Sequence, residues 1–169
     1  MTNVLLAIDG SLYGKIISDF VVNHHWSPNT HLKLINLIEP MADDVYSAAQ
    51  FERQSIISAK ALLQETAMLI QRSLPKLDLS QIIRHGEPIE EILREATEWP
   101  ADLIVLGSHG RRNANRASLG SVSHSVLTQA QSTVIVVRVP QKKLEGLAVE
   151  SEKTTVKYNS LKRVKLCVK

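Results

Sequence analysis

The feature of the sequence that most constrains its fold is a regular alternation between short apolar runs and longer segments with helical spacing. The first run, NVLLAID (3–9), is almost continuously apolar, which is typical of a strand buried on both faces. The chain then changes period, and the apolar residues of segment 11–24 recur every three or four positions, with Ser11 as a suitable N-cap. This change predicts a strand followed by a helix.

The alternation continues to residue 139. Four further short apolar runs predict strands at 31–38, 79–86, 102–107 and 132–139. Three segments with apolar residues at roughly helical spacing, among them Ile57 and Met68 in the longest, predict helices at about 43–73, from Pro88 onward and at 121–130. Strands that alternate with helices are joined by right-handed crossovers, so the sequence predicts an α/β fold with an open parallel sheet and helices on both faces.

Charge divides the chain into two parts. Residues 141–169 contain 8 of the 20 Lys and Arg residues but only 3 of the 17 acidic residues, so this tail is basic and the body is slightly acidic. A chain of 169 residues can form one substantial core. We therefore expect one domain over residues 1–140 and an extended or partly ordered tail over residues 141–169.

The tail offers two partner hypotheses. Its basic residues could attract a polyanion, but short basic ends are more often only solvated, so we do not expect nucleic acid as a partner. Segment 164–168 (VKLCV) alternates in polarity and could add as an edge strand to this chain or to another.

The beginning of the chain and its cysteine content favour a cytoplasmic location. The first eleven residues contain no basic region, and no run of 18 uncharged apolar residues occurs. The one cysteine, Cys167, cannot form a disulfide within the chain, which fits a reducing compartment. We expect no membrane partner.

The polar segment after the fourth predicted strand carries the clearest chemical signal. GSHGRRNANRASLGS (107–121) contains three glycines and three arginines. Ligands of open α/β sheets bind beyond the carboxyl ends of the strands, and glycines there let a ligand lie against the backbone. Gly120 and Ser121 would open the next helix, whose unpaired N–H groups favour phosphate. The segment predicts a phosphate site, and the alternative is a polar turn with solvated arginines.

Other chemistries fit the sequence less well. No Lys follows Gly120 as a P-loop requires, and the pair Ser108-His109 lacks the central glycine of GxGxxG. The six histidines show no HExxH or Cys/His spacing, so we do not expect a metal site made of protein ligands alone. A hydrolase built on Ser108 or Ser121 with His109 would lack the G-x-S-x-G pattern.

The glycine segment resembles the motif G-x2-G-x9-G-[ST] of the ATP-binding subgroup of the universal stress protein family. Gly107, Gly110, Gly120 and Ser121 match every fixed position. Five blocks also resemble that family in order: LLAIDGS, HGEPIEEIL, ADLIVLGSHGR, LGSVSHSVL and TVIVVR. The resemblance covers about residues 2–139 and implies a five-stranded sheet in the order 3-2-1-4-5, as in adenine nucleotide alpha hydrolase-like folds.

The resemblance also implies a nucleotide site between the first and fourth strands. Asp9 would hold the ribose or adenine side, Leu37 would contact adenine, and Gly110 with the 120–123 segment would hold ribose and phosphates. The candidate site residues are Ala7, Ile8, Asp9, Leu37, Leu106, Gly107, Gly110, Arg111, Gly120, Ser121, Val122 and Ser123. Asn36, where many members have histidine, and the polar loop 111–119 depart from the family pattern.

The implied function is that of an ATP-binding stress-response module that is regulatory or protective. ADP or AMP would fit the same site, and Mg²⁺ could bind the phosphates through nucleotide oxygens and water. We expect slow ATP hydrolysis at most, because the sequence presents no P-loop lysine or general base. A homodimer paired through strand 132–139 is also implied. The alternative is a structural homodimer with a vestigial pocket, working through its dimer surface and basic tail.

Overall fold

The computed structural model describes residues 1–40, 45–110, 118–138 and 165–168. The elements are β1 (Thr2–Ala7), α1 (Leu12–Asn23), β2 (Thr30–Ile38), α2 (Val45–Ser73), β3 (Asp78–His85), α3 (Pro88–Glu98), β4 (Leu103–Gly107), α4 (Ser121–Gln129), β5 (Thr133–Arg138) and β6 (Lys165–Val168). The predicted alternation is confirmed through β5. β1 ends two residues before the predicted end, so Ile8 and Asp9 lie beyond the strand.

The strands form a single sheet in the order β3-β2-β1-β4-β5-β6. The first five are parallel and follow the predicted order 3-2-1-4-5. β6 pairs antiparallel with β5 of the same chain, so Lys165–Val168, from the segment with alternating polarity, forms an edge strand of its own sheet. The outer edge of β5, which we expected to pair with a second chain, is therefore occupied by β6, and the homodimer stays a prediction.

Aliphatic side chains cover both faces of the sheet. Along β1, Val4 and Leu6 belong to a core cluster with residues of α1 and α2, whereas Leu5 belongs to a second cluster with residues of α3 and α4. All three are fully buried. This division follows from the two-residue repeat of a strand, and it confirms helices on both faces.

Helix α2 meets the sheet with a face that the sequence pattern does not single out. Ala59, Leu63, Ala67 and Ile70 are buried, whereas Ile57 and Met68 are 60% and 65% exposed.

In the part of the chain that the structure describes, no helix is both long and apolar enough to cross a membrane.

A buried acid links α3 to two strands. Glu95 is 2% exposed, and its Oε1 accepts a hydrogen bond of 2.9 Å from Lys33 Nζ of β2. Its Oε2 accepts bonds of 2.9 and 2.6 Å from Nε and Nη2 of Arg84 on β3. Burial raises the pKa of Glu95, but the hydrogen bonds from Lys33 and Arg84 outweigh burial and hold that pKa below its usual value. The three residues form an ion-pair network with one buried charge at its centre.

A second acid, Asp19 on α1, makes the stability of the fold depend on pH. Burial raises the pKa of Asp19 to about 6, although Lys15 acts in the opposite direction. Because the folded-state pKa exceeds the unfolded one, the protonated carboxyl contributes stability below about pH 4, and that contribution is lost as the pH rises through about 6.

Replacement of Asp19 with asparagine should therefore stabilise the protein at pH 7.5, where the half-buried carboxylate is charged. With allowance for screening by solvent, we expect a gain of about 1 kcal/mol, or roughly 2–4 °C in the melting temperature. Thermal melts at pH 7.5 and pH 4 measure the effect, and the gain should vanish at the lower pH. A difference that is equal at both pH values would contradict this account of Asp19.

Candidate functional site

The carboxyl ends of β1 and β4 lie side by side, because these strands are neighbours where the direction of winding reverses. Asp9 follows β1, and Gly110 follows β4. A Cβ atom on Gly110 would lie 2.9 Å from Asp9 Oδ2, so the carboxylate rests directly against the Gly110 backbone. The structure thus brings together the acid and the glycine segment that the sequence pointed to.

Neighbouring groups fix the position of Asp9. Its Oδ1 accepts hydrogen bonds from the backbone N–H of Ser11, at 3.2 Å, and from the Ser11 hydroxyl. The buried side chain of Asn36 donates to the carbonyl oxygen of Ile8 at 2.7 Å. Asn36, a departure from the family pattern, therefore anchors the backbone that carries the acid.

Gly14 is a site residue that the sequence reasoning missed. A Cβ atom at this position would lie 2.4 Å from the carbonyl oxygen of Asp9, closer than non-bonded atoms approach. The first turn of α1 packs against the end of β1 only because residue 14 has no side chain. A glycine within a helical pattern was the available signal.

Three hydrogen bonds fix the end of β4, one to β5 and two to the start of α4. Ser108 N–H donates to the carbonyl of Val137 at 2.9 Å, and Gly120 N–H donates to the carbonyl of Ser108 at 2.8 Å. The Ser123 hydroxyl donates to the carbonyl of Gly107 at 2.6 Å. These bonds place the N-terminus of α4 beside the glycines that follow β4.

The N-terminus of α4 has the features of an anion site. Gly120 is the N-cap residue, and among the described residues no side chain caps the helix through a hydrogen bond. The first N–H groups of a helix have no partners within the helix and carry a partial positive charge. Because Gly120 and the exposed Ser121 leave this end open, a phosphate group could accept hydrogen bonds there.

The apolar candidates lie on the α3 and α4 face of the sheet. Leu106 is buried in the second core cluster, and Ala7, Leu37 and Val122 are partly buried against it. Leu106 therefore packs beneath the polar strand ends, whereas the other three side chains are partly exposed.

Two candidates lie in positions that limit their roles. The Ile8 side chain is 3% exposed and packs in the first core cluster, in the layer opposite that of Ala7. The Ser123 side chain is 4% exposed, and its proton is used in the bond to Gly107. Ile8 therefore packs below the site, and Ser123 holds α4 in place. Arg111, with Arg112, Arg116 and most of the loop 111–119, lies outside the described residues.

Ser108 and His109 are buried at the end of β4. The Ser108 hydroxyl oxygen lies 3.1 Å from His109 Nδ1, and the two residues are 0% and 5% exposed. A nucleophile must reach its substrate, so this burial favours a structural role for the pair. No group of three His, Cys, Asp or Glu side chains that could hold a metal ion occurs among the described residues.

A separate groove lies at the opposite ends of the strands, where β4 and β5 begin and α3 and α4 end. Its lining includes Ala96, Asp102, Gln129 and Thr133, and none of the candidate site residues. The candidate site residues at the carboxyl ends of the strands therefore lie outside this groove.

The chain is similar in sequence and in structure to proteins of one known family. The model of the universal stress protein family matches residues 1–138. Universal stress protein A homolog 2 of Coxiella burnetii is 32% identical over 114 residues, which cover 66% of this chain and 76% of that protein. The solved structure of the Methanocaldococcus jannaschii protein MJ0577 is 25% identical, has a TM-score of 0.65, and covers 83% of this chain and 97% of its own.

More distant structures share the fold. A universal stress protein family member from Arabidopsis thaliana with AMP bound is 16% identical, with a TM-score of 0.63 and coverage of 85% of this chain and 95% of its own. A universal stress protein in complex with cAMP and one from Archaeoglobus fulgidus in complex with dAMP are 19% and 20% identical, with TM-scores of 0.57 and 0.56. They cover 82% and 80% of this chain and 98% and 97% of their own. Because the family model matches most of the chain, and the fold and strand order agree with it, the chain belongs to the universal stress protein family.

Proposed function

We propose that this chain binds an adenine nucleotide, with ATP as the preferred ligand, between the ends of β1 and β4. The observation that carries the proposal is the contact of the Asp9 carboxylate with the Gly110 backbone, next to the uncapped N-terminus of α4. An acceptor for hydroxyl or amino groups and a site for phosphate thus lie side by side. The AMP, cAMP and dAMP complexes of proteins with this fold support an adenine nucleotide as ligand.

Each part of the site has a role in the proposal. The Asp9 carboxylate, which can only accept hydrogen bonds when ionised, takes a hydroxyl of the ribose or the amino group of adenine. Gly107 and Gly110 let the nucleoside approach the backbone. Ala7, Leu37 and Val122, which are partly exposed and pack with the buried Leu106, provide an apolar surface for the base. The N–H groups at Ser121 and Val122 bind phosphate, and Arg111 adds a positive charge.

Binding rather than rapid catalysis follows from the same residues. Mg²⁺, if it accompanies the phosphates, would neutralise charge and take its ligands from nucleotide oxygens and water. The buried Ser108 and His109 present no reactive group to the site, so hydrolysis would be slow at most. In this proposal ATP changes the surface or the partners of a cytoplasmic regulatory or protective module in the stress response, and the assembled form is a homodimer.

Calorimetry and mass spectrometry test the ligand directly. We expect an adenine nucleotide among the small molecules released from the freshly purified protein. The stripped protein should bind ATP in the micromolar range or tighter, and more tightly than adenosine, because phosphate bound at the α4 N-terminus contributes to affinity. Titration with GTP, which carries the same phosphates but a different base, is the control for recognition of adenine. Absence of both a released nucleotide and a heat of binding would contradict the proposal and favour a structural protein with a vestigial pocket.

A further inference from the structure

β5 is an apolar strand, and its outer edge faces β6 rather than another strand of the parallel sheet. Residues 134–137 are buried one after the other, between Thr133 and Arg138. β6 lies along this edge with four paired positions, Ile135 with Val168, Val136 with Cys167, Val137 with Leu166 and Arg138 with Lys165. The structure thus shows one occupant for an edge that would otherwise be open.

We propose that β6 is a removable cover of the β5 edge, and that it competes there with a second copy of this chain. An open sheet edge presents unpaired N–H and C=O groups and is a template for another strand. The β5 edge accepts an antiparallel partner, as β6 shows. Two copies of β5 related by a twofold axis would also meet antiparallel, so a second copy fits the same edge.

Length and tethering decide between the two occupants. β6 has four residues and pairs with only four of the six residues of β5. A second copy could use all six residues of β5. However, a segment on the same chain acts at an effective concentration on the order of millimolar, far above a micromolar second copy. The cover therefore prevails at micromolar protein, and the homodimer proposed above forms at this edge once β6 withdraws.

A new cysteine tests the cover in the full-length chain. Val136 is paired directly with Cys167, the one native cysteine, and such pairs place their Cβ atoms about 4.5–5.5 Å apart, close to disulfide distance. We expect Val136→Cys to form a disulfide within one chain on mild oxidation, to an extent independent of protein concentration. Peptide mapping and non-reducing electrophoresis measure it. A disulfide between two chains, or no disulfide, would overturn the proposal.

Proline substitution tests the competition. Of any two adjacent strand residues, one directs its N–H toward the neighbouring strand, so the double variant Leu166→Pro, Cys167→Pro must lose a donor to β5. The control is Leu166→Val, Cys167→Val, which keeps both donors, favours a strand and removes the same thiol. We expect the proline variant to dimerise at least tenfold more tightly than the control in sedimentation experiments. Equal dimerisation of the two variants, or none in either, overturns the proposal.

Discussion

Replacement of Gly110 with alanine should leave the protein folded and weaken its binding of ATP by about 10- to 100-fold. The new Cβ atom would lie 2.9 Å from Asp9 Oδ2, which is too close, so the carboxylate must move away from its position. Gly110 is exposed, and the displaced atom is the end of a side chain, so the cost to folding is small. A hydrogen bond to a charged group contributes about 1.5–3 kcal/mol, which corresponds to the predicted loss of affinity.

Gly10→Ala is the matched control, because it adds the same methyl group directly beside Asp9. Its two chain neighbours aside, a Cβ atom at Gly10 would meet no atom of the described residues within 4 Å, so the added methyl group fits without displacing any other residue. We expect the affinity of this variant to lie within about twofold of the unchanged protein. Calorimetric titration with ATP and thermal melts of both variants make the comparison. Equal affinities in two folded variants would show that the Asp9 carboxylate does not hold the ligand.

The closeness of Asp9 and Gly110 could be predicted from the sequence. The contacts that hold the backbone at Asp9 in position could not. The aliphatic runs indicated the strands, and the strand order implied by the family resemblance places the first and fourth side by side. By contrast, Gly14 and Asn36 act through the carbonyl oxygens of Asp9 and Ile8. A glycine within a helical pattern signals a close approach at residue 14. No pattern of residue types shows which backbone atom is met, because that depends on how a helix and a neighbouring strand pack against the end of β1.

Helix α2 shows a second limit of the sequence pattern. Its extent follows from helical spacing, but two of its large apolar residues, Ile57 and Met68, face outward. The buried stripe at 59, 63, 67 and 70 includes two alanines, which are also common on exposed helix surfaces. Hydrophobicity alone therefore did not distinguish the face that meets the sheet.

The tail shows a third limit. Its alternating segment at 164–168 predicted a strand but not whose sheet it would join. An antiparallel edge strand can pair with its own chain or with another by the same hydrogen bonds, so only the three-dimensional register with β5 decides the partner.

The second large effect concerns stability and should follow from replacing Glu95 with glutamine. The variant keeps the shape of the side chain but leaves Lys33 and Arg84, which are 15% and 25% exposed, without their shared counter-ion. Removing one member of a buried ion pair costs about 3–5 kcal/mol, and the partial exposure of the two cations favours the lower figure of about 3 kcal/mol. For a chain of this size, the melting temperature should fall by about 6–12 °C.

Glu98→Gln provides the control, since Glu98 also pairs with Arg84 but is 52% exposed. An exposed pair of this kind contributes about 1 kcal/mol or less, so its loss should lower the melting temperature by no more than about 4 °C.

The pH dependence of stability also distinguishes Glu95 from Glu98. Because the pKa of Glu95 is lowered in the folded protein, its contribution is present at neutral pH and is lost as the pH falls below about 4. The difference in melting temperature between Glu95→Gln and the unchanged protein should therefore become smaller in acid. A difference as large at pH 3 as at neutral pH would mean that Glu95 stabilises the fold by packing, and that the charge at the centre of the network is not what joins α3 to β2 and β3.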